Sequence, residues 1–320
     1  MSQELHIVFA TDLGWLRSTQ RAIYDIIIRK NKDTRITFYV LLDNINDCHE
    51  FDLFNSINNI KVIPISLNSK KEFPNARRYL QPWHNTFGYL RLIIPDLEIF
   101  KDIDRVLYLD VDVLTLKDLS DIYNTDLEDK PFGCVKDCYH IGYADIHNCY
   151  ITENGVDTGL IVMDLKKMRD IYFTRLCRAN ICDVTSDYHM INTYFLRYNK
   201  YLNPEYQIPV HYITNGKSIF KDISAWNKFF KVKYESIEEF VKNSYTWHFR
   251  GNKDVMYNQY PIVRTAFDLS EQRLQRFLET GEVEKWLPKD DEILYTYHGY
   301  AKISEEEQEI KIEKTEPVLN

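Results

Sequence analysis

Two short stretches of this 320-residue chain carry side chains that can do chemistry together. The first is Asp110-Val111-Asp112, which directly follows the apolar run Val106-Leu107-Tyr108-Leu109. Side chains alternate along an extended segment, so both carboxylates point the same way. A strand ending there sets them at the carboxyl edge of a sheet, where open α/β folds bind ligands. Two hard oxygen donors aimed at one point suit Mg²⁺ or Mn²⁺, ions that also bind phosphate oxygens. A solvated acidic turn would have the same sequence, and it is the strand before it that favours a metal. The second stretch is Trp247-His248-Phe249-Arg250-Gly251-Asn252-Lys253. Its imidazole can complete a metal site or serve as a structural histidine. Gly251 lets backbone approach a ligand, and Lys253 is a point charge for phosphate.

These groups need a scaffold, and the chain reads as alternating strands and helices. Residues 5–11 form a short apolar run, as a strand buried on both faces would, and end in Thr11-Asp12-Leu13-Gly14. A helical stripe follows over 15–30, closed by Arg29 and Lys30. Strand patterns recur at 35–42, 61–65 and 104–109, with a helix-like stretch at 48–57 and another at 86–94 that stops at Pro95. Further strands are expected at 132–135, 158–163 and 245–250. Helices are expected at 165–179, at 187–198 with Ser186 as N-cap, and at 268–287. Residues 66–85 and 203–233 read as irregular, and 301–320 as a mobile acidic tail. Strands separated by helices imply a mainly parallel α/β sheet, because parallel neighbours need long crossovers.

Composition narrows the class. The chain is 44 % hydrophobic and 28 % charged, which excludes a disordered chain, a collagen-like repeat and a disulfide miniprotein. Its 40 basic and 48 acidic residues leave a net charge of −8, so no summed field draws it onto nucleic acid. The start has no basic, apolar and small-residue succession, and no apolar run approaches the roughly 20 residues of a membrane helix. A soluble, cytoplasmic protein is expected, with at most peripheral membrane contact. The six cysteines lack metal-finger spacing and read as reduced thiols. No G-x-x-x-x-G-K-[ST] or G-x-G-x-x-G phosphate loop occurs.

Five blocks, in this order, resemble glycosyltransferase family 8. They are His6 to Asp12, Tyr89 to Pro95, Asp104 to Asp112, Asp157 to Leu165, and His248-Phe249-Arg250-Gly251. The resemblance implies a GT-A fold: a Rossmann-like, mixed but mainly parallel sheet flanked by helices. It assigns 1–260 to the transferase domain, leaving 261–300 as a helical extension and 301–320 as the tail. It implies a retaining enzyme that moves glucose or galactose from UDP-glucose or UDP-galactose to a glycan, glycolipid or glycoprotein hydroxyl, with Mn²⁺ or Mg²⁺. By position, Asp110, Asp112 and His248 would hold the metal. Ala10, Thr11, Asp12, Val111 and Gly251 would line the nucleotide site, and Lys253 would meet the diphosphate. Arg91 would reach the donor sugar or diphosphate, Asp137 would bind sugar hydroxyls, and Asp187 and Asp157 would face the sugar as candidate catalytic acids.

Three positions depart from the family pattern. Asp157 stands where Asn is usual, Tyr188 replaces the Gln after the helix-initial Asp187, and Lys253 follows His248 by five residues rather than six. Same-face attack without a protein nucleophile is favoured, since neither Asp187 nor Asp157 lies in an obvious nucleophile context. The rival readings are a non-catalytic UDP-sugar or glycan binder, and a metal-dependent nucleotidyltransferase or phosphohydrolase. Trp83, Tyr139, Tyr143 and Trp226 are candidates for stacking on an acceptor sugar or for packing in the core.

Overall fold

Strand β1 (Glu4–Thr11) is buried along almost its whole length, because its sequence offers apolar side chains to both faces. The computed structural model that contains it describes residues 4–76, 86–137, 155–183, 186–210, 223–249 and 261–284. β1 runs parallel to β2 (Arg35–Asp43) on one side and to β4 (Arg105–Leu109) on the other, with Ile7 and Val8 opposite Leu107 and Tyr108. β3 (Ile60–Leu67) continues the parallel set beyond β2. Past β4 the sheet turns antiparallel through β8 (Leu160–Asp164) and β6 (Phe132–Asp137). β7 (Gly155–Val156) and β9 (Asn199–Leu202) both pair with β6, completing eight strands. The expected mixed, mainly parallel sheet flanked by helices is present.

A second, three-stranded sheet stands beside the first. It joins β10 (Ile208–Pro209), β11 (Thr246–His248) and β5 (Val113–Thr115) in that order. The chain leaves β4 of the large sheet and enters β5 of the small one through Asp110-Val111-Asp112, so the acidic turn is the seam between them. Each sheet has its own apolar cluster. Trp226, Phe240 and Trp247 pack with Leu114 and Ile208 under the small sheet. Trp226 is fully buried there, and so belongs to the core rather than to an acceptor surface; Trp83, Tyr139 and Tyr143 lie outside the described residues.

The helices differ from the sequence pattern where local chemistry intervenes. Helix Leu16–Arg29 forms as expected, with Ile23, Ile26 and Ile27 in the core. The stretch expected at 48–57 winds only as 3₁₀ over Asp52–Ser56. The helix expected over 86–94 is 3₁₀ over Phe87–Asp96 and ends one residue beyond Pro95, which cannot donate to the helical ladder. The helix expected over 165–179 breaks at Tyr172, whose φ of 55° lies in the left-handed region, giving Leu165–Asp170 and Phe173–Asn180. After Ser186, whose hydroxyl caps the His189 amide, Asp187–Met190 is α-helical and Ile191–Phe195 widens to a π turn. There the Asn192 amide bonds the Tyr188 carbonyl and both backbone groups of Val156, drawing the helix onto β7. The last helix among the described residues spans Pro261–Thr280, earlier than expected. Pro261 suits its first turn, and Gly281, at φ 73°, ends it with its amide on the Phe277 carbonyl. The expected acidic tail lies outside the described residues. Cys48, Cys134 and Cys177 are buried free thiols, and no helix among the described residues is long and apolar enough to cross a membrane.

Candidate active site

The acidic turn is tied down from several directions. The Asp110 amide donates to the Gly159 carbonyl at 2.8 Å, and the Phe249 amide donates to the Asp112 carbonyl at 2.9 Å. Alternation places Tyr108 on the same face as Asp110, and its hydroxyl donates to Asp110 Oδ1 at 2.8 Å. Arg91 Nη2 reaches that oxygen at 2.7 Å. This arginine is buried, because the 3₁₀ segment carries it under the sheet edge, and its fork is shared widely. Nε lies 3.0 Å from Asp187 Oδ2, Nη1 donates to the Thr158 carbonyl at 2.5 Å, and the guanidinium sits 4.4 Å from the centre of the Tyr108 ring. Burial opposes its charge, but Asp110, Tyr108 and Asp187 outweigh that penalty and hold Arg91 protonated beyond its ordinary range. Asp187 is buried against Gly88, where an added Cβ would lie 3.2 Å from its Oδ1.

His248 arrives from the far end of the sequence on β11, whose antiparallel register sets it opposite Val113, the residue after the turn. Its Nε2 is 3.4 Å from Asp112 Oδ1 and 3.6 Å from Asp110 Oδ2. One donor atom from each of the three residues lies within 4.8 Å of the others. The other ring nitrogen, Nδ1, is 3.1 Å from Asp157 Oδ2, while Asp157 Oδ1 accepts from the Gly159 amide at 2.8 Å. The imidazole packs against Gly159, where a Cβ would come within 2.3 Å of Cε1 and 2.6 Å of Nδ1. Burial pulls the imidazole pKa down, yet Asp157 and Asp112 together push it up to about 10. Asp110 is raised by burial and by Asp112, against the pull of Arg91 and His248. Two carboxylates and an imidazole, crowded at one point with the second ring nitrogen already taken, make a donor set that fits a hard or borderline divalent cation.

The remaining expected residues fall into three groups. Ala10 and Thr11 end β1 fully buried, and Asp12 follows half-buried, its carboxyl raised by burial. Val111 turns its side chain inward and its carbonyl accepts from Arg21 at 3.3 Å. Asp137, at the end of β6, is fully buried and accepts from the Tyr188 hydroxyl at 2.5 Å, so the residue in the family Gln position is bound to the acid expected to hold sugar hydroxyls. Arg250, Gly251 and Lys253 lie outside the described residues. Sequence reasoning missed Tyr108 and Arg21. The first was within reach, since residues two apart on a strand share a face, whereas Arg21 lies in a helix whose pattern is otherwise ordinary.

A GT-A glycosyltransferase is the class that this sheet, with an acidic pair at its carboxyl edge and a histidine from a late strand, defines. The chain matches the family model Glycosyl transferase family 8 over residues 6–253, and it belongs to that family. It resembles the structure of galactosyltransferase LgtC in complex with donor and acceptor sugar analogues, at 22 % identity and a TM-score of 0.61, over 89 % of this chain and 98 % of that one. It also resembles the glycosyltransferase GlyE of Streptococcus pneumoniae TIGR4, at 18 % identity and a TM-score of 0.58, over 89 % of this chain and 66 % of that one. These likenesses concern the fold. Among curated sequences it is 24 % identical over 179 residues to the galacturonosyltransferase-like 4 protein of Arabidopsis thaliana, over 54 % of this chain and 48 % of that one. A Haemophilus influenzae relative whose name carries the word glycosyltransferase is 26 % identical over 180 residues, covering 53 % of this chain and 51 % of that protein. The chain thus spans about half the length of the curated relatives it matches.

Proposed function

We propose that this glycosyltransferase is a retaining hexosyltransferase, moving glucose or galactose from a UDP-sugar to a hydroxyl of a glycan, glycolipid or glycoprotein. The observation that carries the reading is the convergence of Asp110, Asp112 and His248 from two sheets on one point at the carboxyl edge. These three residues would hold Mn²⁺ or Mg²⁺, which supplies Lewis-acid stabilisation of the departing diphosphate. Asp157 keeps His248 turned so that Nε2 faces the acids, and thereby acts through the imidazole rather than on the sugar. Arg91 clamps Asp110 and Asp187 in fixed positions, and its charge offsets theirs in a buried site. Ala10, Thr11 and Asp12 form the nucleotide side, while Asp137, with Tyr188, fixes the sugar side. Asp187 is ion-paired with Arg91 and Asp157 with His248, which weakens both as nucleophiles and supports same-face attack by the acceptor hydroxyl. A cytoplasmic setting with at most peripheral membrane contact accords with this substrate class.

The test is to incubate the protein with UDP-glucose or UDP-galactose, Mn²⁺ and an acceptor panel, following UDP release and the anomeric configuration of the product. An α-linked product is expected, and Asp112→Asn should lower kcat by about a hundredfold or more without changing secondary structure. Full turnover in that variant would refute the reading. Metal-dependent UDP binding without UDP release would identify a binder instead.

A further inference from the structure

Three residues make up the acidic turn, and each has a backbone group held by a neighbour: Asp110 by Gly159, Asp112 by Phe249, and Val111 by Arg21. Only the last of these ties comes from a side chain. Arg21 belongs to helix Leu16–Arg29 and is 1 % exposed. An arginine at that depth carries a large desolvation cost, and a methionine would fill similar space without it. Its Nη2 donates to the Val111 carbonyl at 3.3 Å.

Burial pulls the Arg21 pKa down, and of the three acids that oppose it two, Asp25 and Glu271, lie away from the site. Asp25 is one helical turn further along the same face, fully buried, and exerts the strongest attraction on Arg21, followed by Glu271 and Asp112. Asp25 is itself fixed from outside its helix. Its Oδ1 accepts from the Ser270 hydroxyl at 2.8 Å, with Arg29 Nη1 at 3.5 Å. Ser270 lies in the last helix, Pro261–Thr280, beyond the stretch that matches the family. That helix is seated firmly. Leu274 and Phe277 enter the main core, Phe277 stacks on Tyr24 at 5.0 Å, and Arg17 bonds Glu271 at 2.6 Å and Gln275 at 2.8 Å.

We propose that Arg21 is a positioning residue for the acidic turn, and that the C-terminal helix, through Ser270 and Asp25, keeps it there, so that a segment outside the family region sets the geometry of the cation site. The inference rests on reading Asp110, Asp112 and His248 as that site. It separates two effects of opposite sign. Arg21 also acts on Asp112 as a nearby positive charge, so if charge were its whole role, its removal would tighten cation binding. Loss of positioning weakens it.

The experiment is Mn²⁺ titration of the full chain, read by the electron paramagnetic resonance signal of free Mn²⁺, with circular dichroism as the check on folding. Arg21→Met should raise the Mn²⁺ dissociation constant about tenfold, the usual scale for residues that support metal ligands. Ser270→Ala should raise it less, by about threefold, in the same direction. Arg21→Lys keeps the charge but lacks the planar fork, and should resemble Arg21→Met. It also serves, with Ser270→Ala, if the methionine variant does not fold. Binding within twofold of wild type in the folded variants, or tighter binding, overturns the proposal while leaving the cation site standing. Failure of the wild-type protein to bind Mn²⁺ overturns the site and the proposal together.

Discussion

β1 and β2 run eight and nine residues and β4 five, all mainly apolar and paired in parallel, and each neighbour relation follows from burying both faces of a strand. The small sheet is made differently. β5 and β11 contribute three residues each and β10 only two, and what holds them is an aromatic cluster of Trp226, Trp247, Phe240 and Phe249. The large sheet delivers Asp110 and Tyr108, and the 3₁₀ helix beside it supplies Arg91 to complete the clamp. The small sheet delivers His248 and the backbone bond that fixes Asp112. Chemistry therefore depends on the alignment of a robust element with a minimal one, and the seam between them is where substitutions should act on function more than on the fold.

Gly159 is the tightest point of that seam. A methyl group there would collide with His248 and also lie 2.8 Å from Gln207 Nε2. Gly159→Ala should displace the imidazole, weaken Mn²⁺ binding by about a hundredfold and lower stability by about 1–3 kcal/mol, the usual range for overpacking. Calorimetric titration and thermal melting measure the two effects. A variant that binds Mn²⁺ normally would mean that the two sheets can shift relative to one another freely.

Asp157→Asn is milder and probes the electrostatics of the same contact. Without its carboxylate partner the imidazole should titrate lower than about 10 in the metal-free protein, as followed by NMR of the ring protons. The sign for binding follows from proton release. In wild type a protonated His248 must lose its proton to ligate, so affinity should rise with pH through the range below about 10. In Asp157→Asn that slope should flatten near neutrality, with affinity about tenfold lower from the loosened ring. An unchanged slope would separate Asp157 from His248.

The smallest effect is expected far from the seam. His6, at the outer end of β1, has its pKa lowered by burial, and its Nδ1 lies 3.3 Å from the Tyr39 hydroxyl. The unfolded ring takes up a proton near pH 6.5 while the folded ring resists until lower pH, so stability falls as pH drops through that window. His6→Asn should remove part of this slope in melting temperature between pH 7.5 and 5.5, and leave Mn²⁺ binding untouched. Altered binding in that variant would contradict the separation of the two regions.

Sequence alone determined the α/β class, the parallel strands and the acidic pair at a strand end, because continuous apolar runs and the two-residue alternation are local properties. It also nominated His248, through a block that resembles the family. Local pattern could not determine where helices would tighten or widen: the 3₁₀ segment that aims Arg91 and the π turn around Asn192 answer to partners elsewhere in the fold. Nor could it reveal that Asp157 turns to the imidazole, that Tyr188 binds Asp137, or that Arg21 reaches the Val111 carbonyl. Each of those contacts joins residues far apart in the chain. Only tertiary packing of sheets and helices brings them within a few ångströms, where burial removes water and makes each polar partner obligatory.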